Sequence, residues 1–353
     1  MINPTATQIK GIDMLLQYCS TKDKTLLDKA LRQGQIDWGH LFYYADINGL
    51  LGYLENMTEG LEDPRVPFRI AVNLKNYVIK QKRRWTVYQE LINSIISSNV
   101  VSEVPLLLKG SALKFTLYKD EAYLRNIGDI DILIDKKDVK SISNWLESQG
   151  FWLREGKNGP TAFKETTEDR YVVDIHLEDP AKLRRNPDLV LDIFQHNKIS
   201  MNNGAFFIPS YEVLLVHACK HLCDHEEDFR KAFLQTELRL FWLIDIHLLL
   251  SKVNYTETVK LAEQMKWKTE LLRGIWYSHI LLNTNIPSNI NVDEVVELNT
   301  LDTPNGIVTW PWNFVDRMKR VDRAEWLSEQ LGKNGKRNDW YTAADGDRVP
   351  TIL

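Results

Sequence analysis

Apolar positions over residues 1–100 recur every three or four residues, the period of an amphipathic helix. Gln8 to Cys19 reads as one helix and Lys24 to Leu31 as a shorter second. Asp37 can cap a third that runs through Leu41, Tyr44, Ile47, Leu50, Leu51 and Leu54. Pro64 and Pro67 mark the start of a long helix toward Asn99, because proline is tolerated in a first helical turn. Its apolar stripe holds Ile70, Leu74, Tyr77, Val78, Trp85, Tyr88, Leu91, Ile92 and Ile95. Lys75, Lys80, Lys82, Arg83 and Arg84 make part of that helix basic, which predicts a solvated face ahead of a phosphate-binding one.

The period changes at Val104. VPLLL is a short continuous apolar run, the pattern of a buried strand. Ser111 to Tyr118 reads as a short helix, and DIDILID, from Asp129 to Asp135, alternates acid and aliphatic as a half-buried strand does. Asp138 to Gln149 is an amphipathic helix stopped by Gly150. Phe151 to Leu153, Thr161 to Lys164 and Tyr171 to Leu177 follow as further strands, which predicts a mixed sheet of about four strands. From Pro209 the pattern is helical again, over Tyr211 to His225 behind a Ser210 cap, then Phe229 to Lys252, Thr256 to Met265 and Thr269 to Leu282. Beyond Pro287 it weakens, and a polar tail begins at Gly332.

The expected fold class is therefore α+β. A helical region (1–100) precedes a small mixed-sheet core (101–208), a second helical region (209–300) follows, and an irregular tail (301–353) ends the chain. No apolar run reaches the ~18 residues of a membrane span. Three cysteines, Cys19, Cys219 and Cys223, fit reduced thiols and a cytoplasmic protein better than a disulfide framework. The net charge of −4 argues against a long nucleic acid as partner, while the basic helix near Lys80 to Arg84 leaves a short RNA open.

Candidate chemistry concentrates between Leu106 and Asp135. Residues i and i+2 of a strand face the same way, so Asp129 and Asp131 project together while Ile130 and Ile132 turn inward. Two such carboxylates repel unless a cation lies between them, and a divalent metal with phosphate co-ligands suits the pair; two solvated acids on an exposed strand edge are the alternative. Gly110 and Ser111 join the preceding strand to a helix, where free amide N–H groups and the positive dipole end can receive a phosphate, or where Ser111 is a plain N-cap. Asp174 lies mid-strand in YVVDIHL, a costly place for an unpaired acid. Were that strand beside the first, three carboxylates would converge; the plainer alternative is a salt bridge from Asp174 to Arg170 or Arg125.

Lys-Gly-Ser-Ala-Leu (109–113), Leu117-Tyr118, LRNIGDIDILI (124–134) and Val173-Asp-Ile-His resemble the bacterial family called uncharacterised nucleotidyltransferases. Gly-Ser, Asp-x-Asp and a later strand acid also resemble the wider polymerase-β-like nucleotidyltransferase superfamily. The separation of Ser111 from Asp129 is longer than is usual there and is shared with the closer family. The resemblance spans about Glu103 to Lys252 and implies a nucleotidyltransferase core between helical flanks. It implies that Asp129 and Asp131 bind two metal ions, Mg²⁺ with Mn²⁺ as the substitute. Asp174 would bind the catalytic one and help deprotonate an acceptor. Gly110 and Ser111 would hold the β and γ phosphates, with Lys109 and Arg125 neutralising phosphate charge.

His176 shares a face with Asp174 and would orient it or meet the acceptor, with a hydrogen-bonded core histidine as the equal alternative. His217, His221 and His225 form an i, i+4, i+8 stripe. Cys219 and Cys223 fall on another face, so the stripe is expected to pack over the site, with His217 or His221 lining it, rather than to bind zinc. Arg239, Trp242 and Asp245 resemble the closer family and would wall the pocket or form a buried Arg–Asp pair. The expected activity is transfer of a nucleoside monophosphate from an NTP, ATP favoured, to an acceptor on a small molecule, peptide, protein or RNA end. A non-catalytic binding scaffold and γ-phosphoryl transfer are the alternatives.

Overall fold

The structure is a computed structural model. It describes residues 4–34, 36–60, 65–156, 159–177, 187–227, 231, 238–287, 295, 299–303, 306–310 and 312–333. The N-terminal helices are α1 (Ala6–Thr21), α2 (Thr25–Arg32), α3 (Trp38–Ile47), α4 (Leu51–Thr58) and α5 (Phe68–Ser97). Thr5 closes a capping box with Gln8 on α1, and Asp37 caps α3 through the His40 amide. The single helix expected from Asp37 to Leu54 is two. Gly49 breaks it with φ of +70°, and a side chain there would strike the Phe241 ring. Helix α5 buries Leu74, Val78, Gln81, Trp85, Tyr88, Ile92 and Ile95, spaced alternately by four and three, so one face follows the core for its whole length.

The central sheet has seven strands in the order β3-β4-β5-β2-β1-β7-β6. These are β1 (Leu106–Leu108), β2 (Ile130–Leu133), β3 (Trp152–Arg154), β4 (Thr161–Glu165), β5 (Arg170–His176), β6 (Lys198–Met201) and β7 (Phe206–Pro209). It exceeds the expected four or so because β6 and β7 form a hairpin that β7 joins to β1 in parallel. Each of these strands is only four residues long, too short for alternation to mark it against loop. Strand β2 runs antiparallel to β1 and parallel to β5. Helices α6 (Lys109–Thr116), α7 (Val139–Ser148) and α8 (Pro187–His196) connect these strands.

The C-terminal helices are α9 (Tyr211–Glu226), α10 (Leu240–Leu250), α11 (Tyr255–Met265) and α12 (Lys268–Leu282). The helix expected from Phe229 to Lys252 is not continuous: Lys231 is helical, Leu238 and Arg239 are not, and α10 begins at Leu240 behind an extended Arg239. The stretch expected to be irregular contains a hairpin, β8 (Thr300–Thr303) and β9 (Gly306–Thr309), and helices α13 (Phe314–Met318) and α14 (Arg323–Lys333). The polar tail past Lys333 lies outside the described residues. One hydrophobic core runs through the N-terminal helices, both faces of the sheet and the C-terminal helices, so the flanks and the sheet are packed as one body.

Candidate active site

The site forms where β1 turns into α6 against the start of β2. Leu108 lies opposite Asp131 in the antiparallel register, so the next residues, Lys109 to Ser111, curl over Asp131. The Asp131 amide donates to Ser111 Oγ at 3.1 Å, which pins the turn to the strand. Lys109 has φ of +45°, the left-handed region that a residue with a side chain enters at a cost of ~1–2 kcal/mol. From that position its Nζ donates to Asp131 Oδ1 at 2.5 Å.

Strand β5 completes the cluster. Asp131 stands opposite Asp174 in the parallel register, and His176, two residues on, shares the face of Asp174. His176 Nε2 bonds the same Asp131 Oδ1 at 2.8 Å. Asp131, Asp174 and His176 each offer a ligand atom within 4.8 Å of the others, a grouping with no second example among the described residues. Of the three carboxylates expected to converge, Asp131 and Asp174 are grouped, and the third member is His176 rather than Asp129. Asp129, one residue ahead of β2, lies outside that grouping and within its field. Burial and then the Asp131 charge push Asp129 up to about 7. Burial alone would also raise Asp131, but the Lys109 ammonium and the His176 hydrogen bond hold it well below the usual carboxylate range.

The donor set fits a divalent cation. Two carboxylates suit Mg²⁺ or Mn²⁺, and an imidazole is compatible with Mn²⁺. His176 Nδ1 is buried with no hydrogen-bond partner. The salt bridge expected as the plainer role of Asp174 does not form: Arg170 faces Glu165 at 3.9 Å, and Arg125 faces Asp245.

Arg125 is 7% exposed, and its Nε lies 2.9 and 3.1 Å from the two Asp245 oxygens. Tyr118 donates to Asp245 at 2.8 Å. The buried Arg–Asp pair expected with Arg239 is thus made with Arg125, on the far side of the turn. Gly110 reflects this: a Cβ there would fall 2.3 Å from an Arg125 nitrogen, so the missing side chain makes room for the guanidinium. Ser111 is fully buried. Arg239 acts electrostatically on Asp46 at the far end of α3.

The histidine stripe divides. His217 is 2% exposed, edge-on to Phe194 and within reach of the Lys109 charge; burial, then Lys109, lowers it to about 3. His221 and His225 instead pack on the Trp242 ring at 5.0 and 4.4 Å. Cys219 and Cys223 are buried, Cys219 against Gly274 of α12. No metal grouping includes the stripe among the described residues.

Two supports escaped the sequence reading. Tyr88 of α5 donates to the Gly128 carbonyl at 2.8 Å and accepts from the Val172 amide at 3.1 Å, so one phenol ties the approach to β2 to strand β5. Arg84 pairs with Asp169 in the β4–β5 turn and donates to the Ile127 carbonyl at 3.1 Å. With Arg83 on Glu168 and Lys80 on Asp169, much of the basic run clasps that turn. Helical spacing placed Tyr88 in the core, but nothing local in the sequence names its partners.

No helix among the described residues is long and apolar enough to cross a membrane. No curated protein and no solved structure matches the chain. A family described as uncharacterised nucleotidyltransferase matches residues 34–283, from the N-terminal helices through the sheet to the end of α12. That match covers most of the chain and contains every member of the cluster, so this protein belongs to the uncharacterised nucleotidyltransferase family and is a nucleotidyltransferase.

Proposed function

We propose that the protein moves a nucleoside monophosphate, AMP in the first instance, from an NTP to a hydroxyl or similar acceptor, with pyrophosphate as leaving group. The observation that carries this is the register of β2 on β5, which sets Asp131 beside Asp174 and His176 at the mouth of a strand–turn–helix. Bound Mg²⁺ or Mn²⁺ would supply charge neutralisation at the reacting phosphate and a lowered pKa for an acceptor hydroxyl. Asp131 and Asp174 would hold it, with Asp129 beside them.

The chain's own groups have distinct tasks in this reading. His176 fixes the orientation of Asp131 through Nε2. Asp174, half-buried while Arg170 faces Glu165 and Arg125 faces Asp245, accepts the acceptor's proton. Lys109 is the cation nearest the cluster and serves the phosphates. Gly110 and Ser111 give the turn its shape, and the amides at the start of α6 add donors for a phosphate. Arg125, committed to Asp245, acts by holding the turn from behind. The acceptor is a small molecule, a peptide or protein, or an RNA end. The basic face of α5 is largely engaged with the β4–β5 turn, which reduces the support for RNA.

Incubation with α- or γ-labelled ATP, Mg²⁺ and an extract tests this directly. Label from the α position alone should appear on an acceptor. Transfer from the γ position alone would establish phosphoryl transfer instead.

A further inference from the structure

Lys109 stands where a metal would. Its Nζ is 2.5 Å from Asp131 Oδ1, and the charges of Asp131, Asp129 and Asp174 all act on it. Its side chain is 22% exposed, against 3% for Asp131, so it has a way out that its partner lacks. Arg125, the other cation acting on Asp129, is locked in the core with Asp245. Three acids this close need a positive charge, and among the described residues Lys109 is the one placed to supply it and still leave. Its left-handed backbone directs the side chain into the cluster, a local cost that its ion pair offsets.

We propose that Lys109 is a built-in counter-ion that a divalent metal displaces, and that the released ammonium then engages the triphosphate of the incoming nucleotide. The inference rests on the metal-dependent reading above and adds an order to it. Metal alone competes with Lys109 and binds weakly. Metal with nucleotide binds well, because the displaced ammonium gains a new anionic partner. The device keeps the site folded between turnovers and favours the loaded nucleotide over free metal.

Mn²⁺ binding to the full chain, read by electron paramagnetic resonance without nucleotide, tests the exchange. Lys109→Met should bind Mn²⁺ about tenfold more tightly than wild type. It should bind Mn²⁺ with α,β-methylene-ATP less tightly than wild type, and equal or tighter binding would overturn the transfer of the ammonium to the phosphates. Equal Mn²⁺ affinity in Lys109→Met and wild type, with Asp131→Asn abolishing binding, would overturn the exchange and leave the metal site standing. Mn²⁺ binding untouched by Asp131→Asn would overturn both.

A measurement on the wild type does not depend on the variant folding. An amine-acetylating reagent, with Lys109 followed by peptide mass spectrometry, should modify it slowly without metal. Modification should be several-fold faster with Mn²⁺ alone and slow again with Mn²⁺ and the analogue. Reactivity unchanged by Mn²⁺ under conditions where the ion binds would rule out displacement.

Discussion

Asp131 receives two donors on one oxygen, Lys109 Nζ and His176 Nε2, while its amide is held by Ser111. Charge-assisted bonds of this kind fix a carboxylate better than a single neutral contact does. Replacing Asp131 or Asp174 by Asn keeps shape and removes charge. Either change should lower nucleotidyl transfer by about three orders of magnitude, in the range seen when a site loses a charge that stabilises its transition state. Circular dichroism should show the fold retained; full activity in both variants would place the chemistry elsewhere. His217 offers a second test at this scale. In the fold it stays neutral down to about 3, because burial and Lys109 oppose its protonation, whereas an exposed imidazole protonates near 6.5. A depressed pKa leaves its stability contribution intact above ~6.5. The contribution is lost as the pH falls from there toward 3, at up to ~1.4 kcal/mol per pH unit. Urea melts at pH 7 and pH 5 should therefore differ more for wild type than for His217→Gln. Identical slopes would mean that another group governs the acid limb.

Among elements, the pair β2–β5 makes the site, and α5 holds the pair in place. Tyr88 reaches both strands from the middle of that helix. Tyr88→Phe keeps the ring contact with Tyr171 and deprives the Val172 amide and the Gly128 carbonyl of their partner. Both bonds are part-buried, so losing them should cost about 1 kcal/mol, the net worth of ordinary hydrogen bonds. Hydrogen exchange should speed up at residues 127–131 and 172 ahead of the rest of the sheet; uniform protection would mean that the phenol holds nothing in particular. The alternation of DIDILID and the aliphatic surroundings of Asp174 were legible in the sequence, because strand side chains have a period of two and a buried acid is conspicuous. The register that sets Asp131 against Asp174 was not, since pairing between strands far apart in sequence leaves no local mark. The β6–β7 hairpin escaped for lack of length, and the α3–α4 break was marked only by Gly49 within an apolar run.

At the scale of the molecule, Arg125 and Asp245 join the nucleotidyltransferase turn to the C-terminal helices. Sequence patterning suggested a charged pair involving Asp245 but gave it the neighbouring Arg239, because helical spacing cannot see a partner 120 residues away. Asp245→Ala strands a buried guanidinium and should cost ~3–5 kcal/mol of stability. A double change of Arg125 and Asp245 to Ala should cost less than the sum of the single changes, in a thermodynamic cycle measured by urea denaturation. Additive losses would show that the two side chains act independently. A second charged junction lies at the C-terminal end of α9, where Glu226 meets Arg317 at 2.6 Å and Tyr277 at 2.8 Å. It anchors α13 and α12 to the same helix that carries His217 toward the site.

The parallel pairing of β2 and β5 also governs when the protein can come alive during synthesis. Asp131 leaves the ribosome 45 residues before His176, and the clasp from Arg125 to Asp245 waits for a further helix. A nascent chain ending before β5 holds Asp129 and Asp131 near Lys109 and lacks the strand that brings Asp174 and His176. The cluster is therefore complete only after β5 has been made, and its clasp only after α10.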